Sequence, residues 1–249
     1  MLEPNPSERG ARQTRALLAC GILAGPIYIA ATAIQALTRD GFDPRQHRYN
    51  VLTTGDLGWI HRTNYIVAGV LMLLFAVGVA RLLGQGRTGR WAPRLLAFYG
   101  VAYVSSGVFP ADPVIGFPPG TLSQPTSWHA TVQMASRSLS SVALVAASLI
   151  LGKWFTAQGL RGWAWFSGAA VPGALLAWAL VGLAGADTPT KYLAFLVPGI
   201  SMWIWISALG MHLSRRTRRQ DVAPGNPSDP SAAESSPAVR RSKLAAETA

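Results

Sequence analysis

The chain has a single cysteine, Cys20, among 249 residues. An internal disulfide and a cysteine-based metal site are therefore both excluded. Charge is scarce as well: charged residues make up 13% of the chain, against about a quarter in an ordinary soluble domain. Acidic groups are the scarcer kind, with 11 Asp and Glu against 22 Lys and Arg. No Gly-rich phosphate loop, G-x-S-x-G elbow, Rossmann fingerprint or HExxH helix appears in the setting such motifs require, so they give no lead to nucleotide, hydrolase or metalloprotease chemistry. Long apolar runs stand in place of these features. Apolar residues form 50% of the chain, and a mean hydropathy of +0.26 understates the runs because a polar tail dilutes it.

Six runs are long and apolar enough to be read as membrane helices: about Ala16–Leu37, Asn64–Leu83, Leu95–Phe109, Trp128–Leu151, Trp163–Ala184 and Tyr192–Leu213. Spanning takes about 20 apolar residues; the third run falls short unless Trp91 and Ala92 join it. The first run is too long for a signal-peptide core, which is about 7–15 residues. Pro26, Pro172 and Pro198 sit inside runs and predict kinks. Gly21 with Gly25, and Gly168 with Gly173, predict close helix packing in lipid. The expected fold class is all-α, a bundle of six transmembrane helices with two ordered outer loops. Residues 1–15 read as a cytoplasmic segment, 16–214 as the transmembrane domain, and 215–249 as a disordered basic and polar cytoplasmic tail.

The net charge of +11 raises nucleic acid as a partner, but its distribution argues against that. Arg and Lys cluster beside the apolar runs, as in cytoplasmic loops facing anionic headgroups. Arg9, Arg12 and Arg15 precede run one. Arg81, Arg87, Arg90 and Arg94 follow run two, Lys153 and Arg161 follow run four, and Arg215, Arg216, Arg218 and Arg219 follow run six. The loop after run one breaks the pattern with Arg39, Arg45, Arg48 and Arg62, though it also holds Asp40, Asp43 and Asp56. The balance places both termini in the cytoplasm of a multi-pass plasma-membrane protein. Its expected partner is the lipid bilayer, with a hydrophobic small molecule as a further candidate; oligomeric state is not readable.

Candidate chemistry gathers at the outer side. His129, Gln133 and Arg137 recur at a spacing of four, which places them on one helix face. Arg137 lies about 12 Å inside its helix, where an arginine costs at least about 2.5 kcal/mol. It should face the bundle interior and find a partner, with Asp112, Asp56, Asp43 and Asp187 as candidates. Three readings stay open: a salt bridge pinning an outer loop, an anion or headgroup site, and snorkelling to the interface. His61 and Tyr65 share a face at the start of run two, and Tyr99, Tyr103 and Ser106 share one at the end of run three. Asp112, Asp56 and His129 are the candidate catalytic groups, with Arg137, Gln133, His61, Tyr65 and Tyr103 as candidate substrate contacts. His47, His61 and His129 lack a zinc-ligand spacing, so neither a metal nor a cofactor is expected.

Several separated stretches carry a family resemblance. They are Gly21-Ile22-Leu23-Ala24-Gly25-Pro26-Ile27-Tyr28, residues Thr38 to His47, residues Thr54 to Asn64, Gly107-Val108-Phe109-Pro110-Ala111-Asp112-Pro113, Gly116-Phe117-Pro118-Pro119-Gly120 and Ser127-Trp128-His129. Together they resemble the bacterial membrane family called domain of unknown function 998 (DUF998), over about residues 16–214. The resemblance implies a six-helix membrane bundle and no established activity. Family members often carry Ser near Asn50, Gln near His61 and a second His near Gln133, and this chain departs there. The best functional expectation is a membrane-embedded enzyme acting on a lipid or isoprenoid-like molecule at an outward-facing polar site. The alternatives are a small-molecule transporter or export helper, and a non-catalytic membrane binding or assembly protein.

Overall fold

The computed structural model describes residues 6–183 and 196–222. Within them lie six long α-helices: α1 (Pro6–Thr38), α2 (Gly58–Leu83), α3 (Arg87–Val108), α4 (Trp128–Ala157), α5 (Arg161–Leu183) and α6 (Leu196–Val222). A single turn of 3-10 helix, Tyr49–Thr53, interrupts the loop between α1 and α2. The described residues contain no β-strand beyond one isolated bridge between Val114 and Phe117. Four helices are long and apolar enough to cross a membrane, namely Arg9–Thr38, Gly58–Leu83, Trp128–Ala157 and Leu196–Arg218.

The helices overrun the apolar stretches that announce them. α1 begins ahead of Arg9, Arg12 and Arg15, α3 begins at Arg87 rather than Leu95, and α6 continues through Arg215 and Arg216 to Val222. Arginine is a good helix former, and its long side chain reaches water from a helix end. The basic clusters therefore extend the helices instead of ending them. The tail beyond 222, and Asp187, Lys191 and Tyr192, lie outside the described residues.

Each helix packs on its neighbours in the chain, and α6 closes on α1, giving a ring of six. The interior is a continuous apolar cluster that includes Leu18, Met72, Phe75, Leu96, Leu144, Leu151, Trp205, Ile206 and Leu209. Glycine permits three close helix crossings. A Cβ built on Gly69 would lie 2.6 Å from the carbonyl oxygen of Gly100, and one on Gly100 would lie 2.9 Å from that of Gly69. The backbones of α2 and α3 thus touch where neither carries a side chain, the packing small residues permit in lipid. Gly21 and Gly25 act likewise, set against Phe75 and against Trp203 with Ser207. The expectation for Gly168 and Gly173 is corrected: a Cβ on either meets nothing within 4 Å among the described residues. Small-residue spacing marks a possible contact but does not say which helix face turns inward.

The loops 39–57 and 109–127 fold together over one end of the ring. Phe42, Val51, Leu52, Ala111 and Phe117 form their own buried cluster. Arg39 ties this cap down by donating to the carbonyls of Leu52 at 3.2 Å and Thr54 at 2.8 Å, while its guanidinium lies 5.2 Å from the Phe117 ring centre. Gly55 turns the chain there at φ +72°, with Pro118 and Arg39 packed against it. Burial lowers the Arg39 pKa from its usual value, and Asp56 opposes that shift. Thr53 bridges the two loops: its Oγ1 accepts from Ala111 N at 2.9 Å and donates to Asn50 O at 2.7 Å.

Candidate functional site

Under the cap, tyrosines from three helices and a tryptophan from a fourth meet. The ring of Tyr28 on α1 lies 5.6 Å from Tyr65 on α2, 5.4 Å from Tyr103 on α3 and 5.2 Å from Trp203 on α6. Tilted and edge-on pairs at such distances are favourable arrangements for aromatic rings. Arg137 of α4 reaches into this group. Its guanidinium carbon sits 5.3 Å from the Tyr65 ring centre and 5.0 Å from that of Tyr103. Ring faces attract cations at this range. Nη1 is buried and has no hydrogen-bond partner.

The carboxylate expected to neutralise Arg137 is not found among the described residues. Asp112 is engaged elsewhere: its carboxylate accepts from the backbone N and the hydroxyl of Ser127, each at 2.6 Å. Asp56 is exposed ahead of α2, and Asp43 caps its own loop by accepting from Arg45 N and Gln46 Nε2. A carboxylate that can bond nearby backbone donors needs no distant guanidinium.

A cavity of about 550 Å³ opens beside Arg137. Ile29, Ala33 and Leu37 of α1 form one wall, Met134, Arg137 and Ser138 of α4 another, and Leu196, Gly199 and Ile200 of α6 a third. Tyr28, Tyr65, Tyr103 and Trp203 also line it, and Pro44, Arg48, Tyr49 and Asn50 of the cap complete it. The volume falls in the range of about 300–1,000 Å³ typical of small-molecule sites. Among the described residues the lining contains two arginines and neither Asp nor Glu. Burial raises the phenol pKa of Tyr49, so this part of the lining is neutral at physiological pH.

The α4 stripe does point inward, but its three members have separate tasks. His129 stays at the cap, its Nδ1 2.9 Å from Ser127 Oγ, 3.2 Å from the carbonyl of Pro110 and 4.0 Å from Asp112. Ser127, His129 and Asp112 thus share a constellation, yet the Ser127 hydroxyl donates to Asp112 and accepts from Ala130 N at 3.2 Å. That is the work of a helix N-cap. Gln133 is buried; it accepts from Asn50 Nδ2 and donates to the carbonyl of Ser106, both at 3.1 Å. Only Arg137 reaches the cavity. Tyr65 and Tyr103 line it too, whereas His61, Gln133, Asp56, Asp112 and His129 do not. His47 packs on Phe42 and Phe117 in the cap, and the described residues hold no metal-like cluster of His, Cys, Asp or Glu.

The sequence reading missed Tyr28, Thr32 and Gln35 on α1, which recur at steps of four and three and so share a face. Asn64 of α2 donates to the Tyr28 carbonyl at 3.1 Å and to Thr32 Oγ1 at 3.2 Å, and Gln35 Nε2 lies 3.2 Å from His61 Nδ1. Polar side chains inside an apolar run were the available signal, because polar groups in a membrane must bond across helices. Arg48, Asn50 and Trp203 were missed as well. Two of them sit on a loop whose path no periodicity describes.

The family profile for protein of unknown function (DUF998) matches residues 22–212. The chain belongs to that family. Comparison with curated proteins and with solved structures finds no match.

Proposed function

We propose that this DUF998 member is a six-span membrane protein that takes a hydrophobic small molecule, a lipid or isoprenoid-like compound, into a cavity facing outward from the plasma membrane. Four helices meet the length and apolarity of a span; α3 and α5 complete the same ring and are read as the other two. An even number of spans, with arginines gathered at the uncapped end, favours cytoplasmic termini. The observation that carries the reading is the apolar cavity of about 550 Å³ bounded by three helices, the aromatic group and the cap.

Binding has more support than chemistry. A general acid or base must reach the reacting atom within hydrogen-bond range, and Asp56, Asp112 and His129 do not line the cavity. Transport has less support than binding, because α1, α2, α3 and α4 run past the cavity as unbroken helices, without the discontinuous helices on which transporters place such sites. Presentation or sequestration of the bound molecule fits the geometry best.

The test is to purify the full chain in a mild detergent and analyse its organic extract by mass spectrometry. A hydrophobic compound should copurify in near-stoichiometric amount and be lost from the folded, cavity-filled variants Ala33→Trp and Ile200→Trp. Equal amounts of every extracted compound in wild type and both variants would remove the reading.

A further inference from the structure

We infer that the molecule held in this cavity is an amphiphile with one anionic head, a phosphate or a carboxylate, seated on Arg137 and an apolar chain lying against α1 and α6. This rests on the cavity being a binding site, and adds what that site selects. The first ground is charge. Arg137 lines the cavity, and no acidic side chain among the described residues does, so the described lining offers its guanidinium no counter-charge. The second is geometry. The guanidinium carbon of Arg137 lies over the ring faces of Tyr65 and Tyr103, which attract its charge without accepting its N–H groups. Buried Nη1 has no acceptor among the described residues.

Desolvated donors without acceptors are costly, and an arginine inside a membrane helix is costlier still. An anion removes both penalties at once, because guanidinium matches phosphate and carboxylate through paired N–H donors. Tyrosine ring faces supply no counter-ion for the guanidinium. Asn50 lies on the same lining, its amide already committed to Gln133. The opposite wall, Ile29, Ala33, Leu37, Leu196 and Ile200, offers only apolar surface to a ligand. A head without a chain would leave that wall unused, and a chain without a head would leave the charge of Arg137 without a counter-ion.

Equilibrium binding to the full chain in a neutral maltoside detergent tests this, with dodecyl phosphate, laurate, dodecanol and inorganic phosphate as probes. Dodecyl phosphate and laurate should bind at least about tenfold more tightly than dodecanol, the least a charge-assisted hydrogen bond confers. Arg137→Met should abolish that preference. Equal binding of dodecanol and dodecyl phosphate to wild type would overturn the anionic head while leaving the hydrophobic site intact, and needs no variant to fold. Inorganic phosphate competing as well as dodecyl phosphate would overturn the chain, leaving a free-anion site. Failure of all three chain probes to bind would overturn the cavity reading itself.

Discussion

Arg137→Met separates a functional arginine from a structural one by its effect on the empty protein. Arg137 lies nine residues past Trp128, the first residue of α4. That is roughly 13 Å along the helix at 1.5 Å per residue, near the middle of a hydrocarbon core about 30 Å thick. Insertion of arginine there costs about 2.5–3.5 kcal/mol. The two ring contacts, on Tyr65 and Tyr103, return about 0.5–2 kcal/mol each, so about 1–4 kcal/mol together. Methionine fills similar space, removes the first sum and forfeits the second. The stability of the variant should therefore lie between about 1.5 kcal/mol below and about 2.5 kcal/mol above that of wild type.

A buried ion pair behaves differently. Removing the arginine of such a pair strands its carboxylate and costs about 3–5 kcal/mol. The measurement is equilibrium unfolding by sodium dodecyl sulfate in mixed micelles, without added lipid. A loss of 3 kcal/mol or more would refute the account and put a carboxylate on Arg137. A double-mutant cycle with Asp112→Asn sharpens it: without an ion pair, the two effects should add within about 0.5 kcal/mol.

Gly69→Ala places a methyl 2.6 Å from the Gly100 carbonyl; overpacking of this kind costs about 1–3 kcal/mol, whereas Gly168→Ala meets nothing within 4 Å and should hold or raise stability in the same unfolding titration. Gln133→Leu leaves Asn50 Nδ2 and the Ser106 carbonyl without their bonds, a loss of about 1–3 kcal/mol that should also appear as faster hydrogen exchange in residues 49–53. Ser127→Ala removes the N-cap of α4 and should cost about 1 kcal/mol; if Ser127, His129 and Asp112 served as more than a cap, ligand binding would fall without any such loss of stability. Arg39→Gln gives up two carbonyl bonds and the Phe117 contact, and limited proteolysis within 39–57 should speed up while cleavage between α2 and α3 stays constant.

The helical layout was legible because lipid allows little else. A run of apolar residues without internal hydrogen-bond partners must satisfy its backbone by becoming a helix, so each described helix overlaps a run that hydropathy marks. The helix ends were not legible, since Arg9, Arg12 and Arg15 lower hydropathy without lowering helix propensity. The outcome for Gly21 against that for Gly168 shows a second limit. Both sit in similar small-residue spacings, yet a Cβ on Gly21 would meet Phe75 at 2.5 Å while one on Gly168 meets nothing within 4 Å among the described residues. Rotation of a helix about its axis follows from the whole bundle, and α2 and α5 are nearly as apolar on one side as on another.

Arg137 marks where local reading stops and packing takes over. Its cost in the membrane correctly announces an inward side chain, and electrostatic reasoning then asks for an aspartate, because a carboxylate is the strongest partner in a list of residue types. The nearby aspartates are consumed by shorter-range demands: Asp112 by the free N–H and hydroxyl of Ser127, Asp43 by its own turn. Backbone donors two to fifteen residues away compete for a loop carboxylate before any helix is reached. What remains for Arg137 is the tyrosines that α2 and α3 bring together through the Gly69–Gly100 contact. A site composed this way is written in helix spacing rather than in a motif. The glycines that let two backbones touch are thus part of the arginine's environment, although neither touches the cavity.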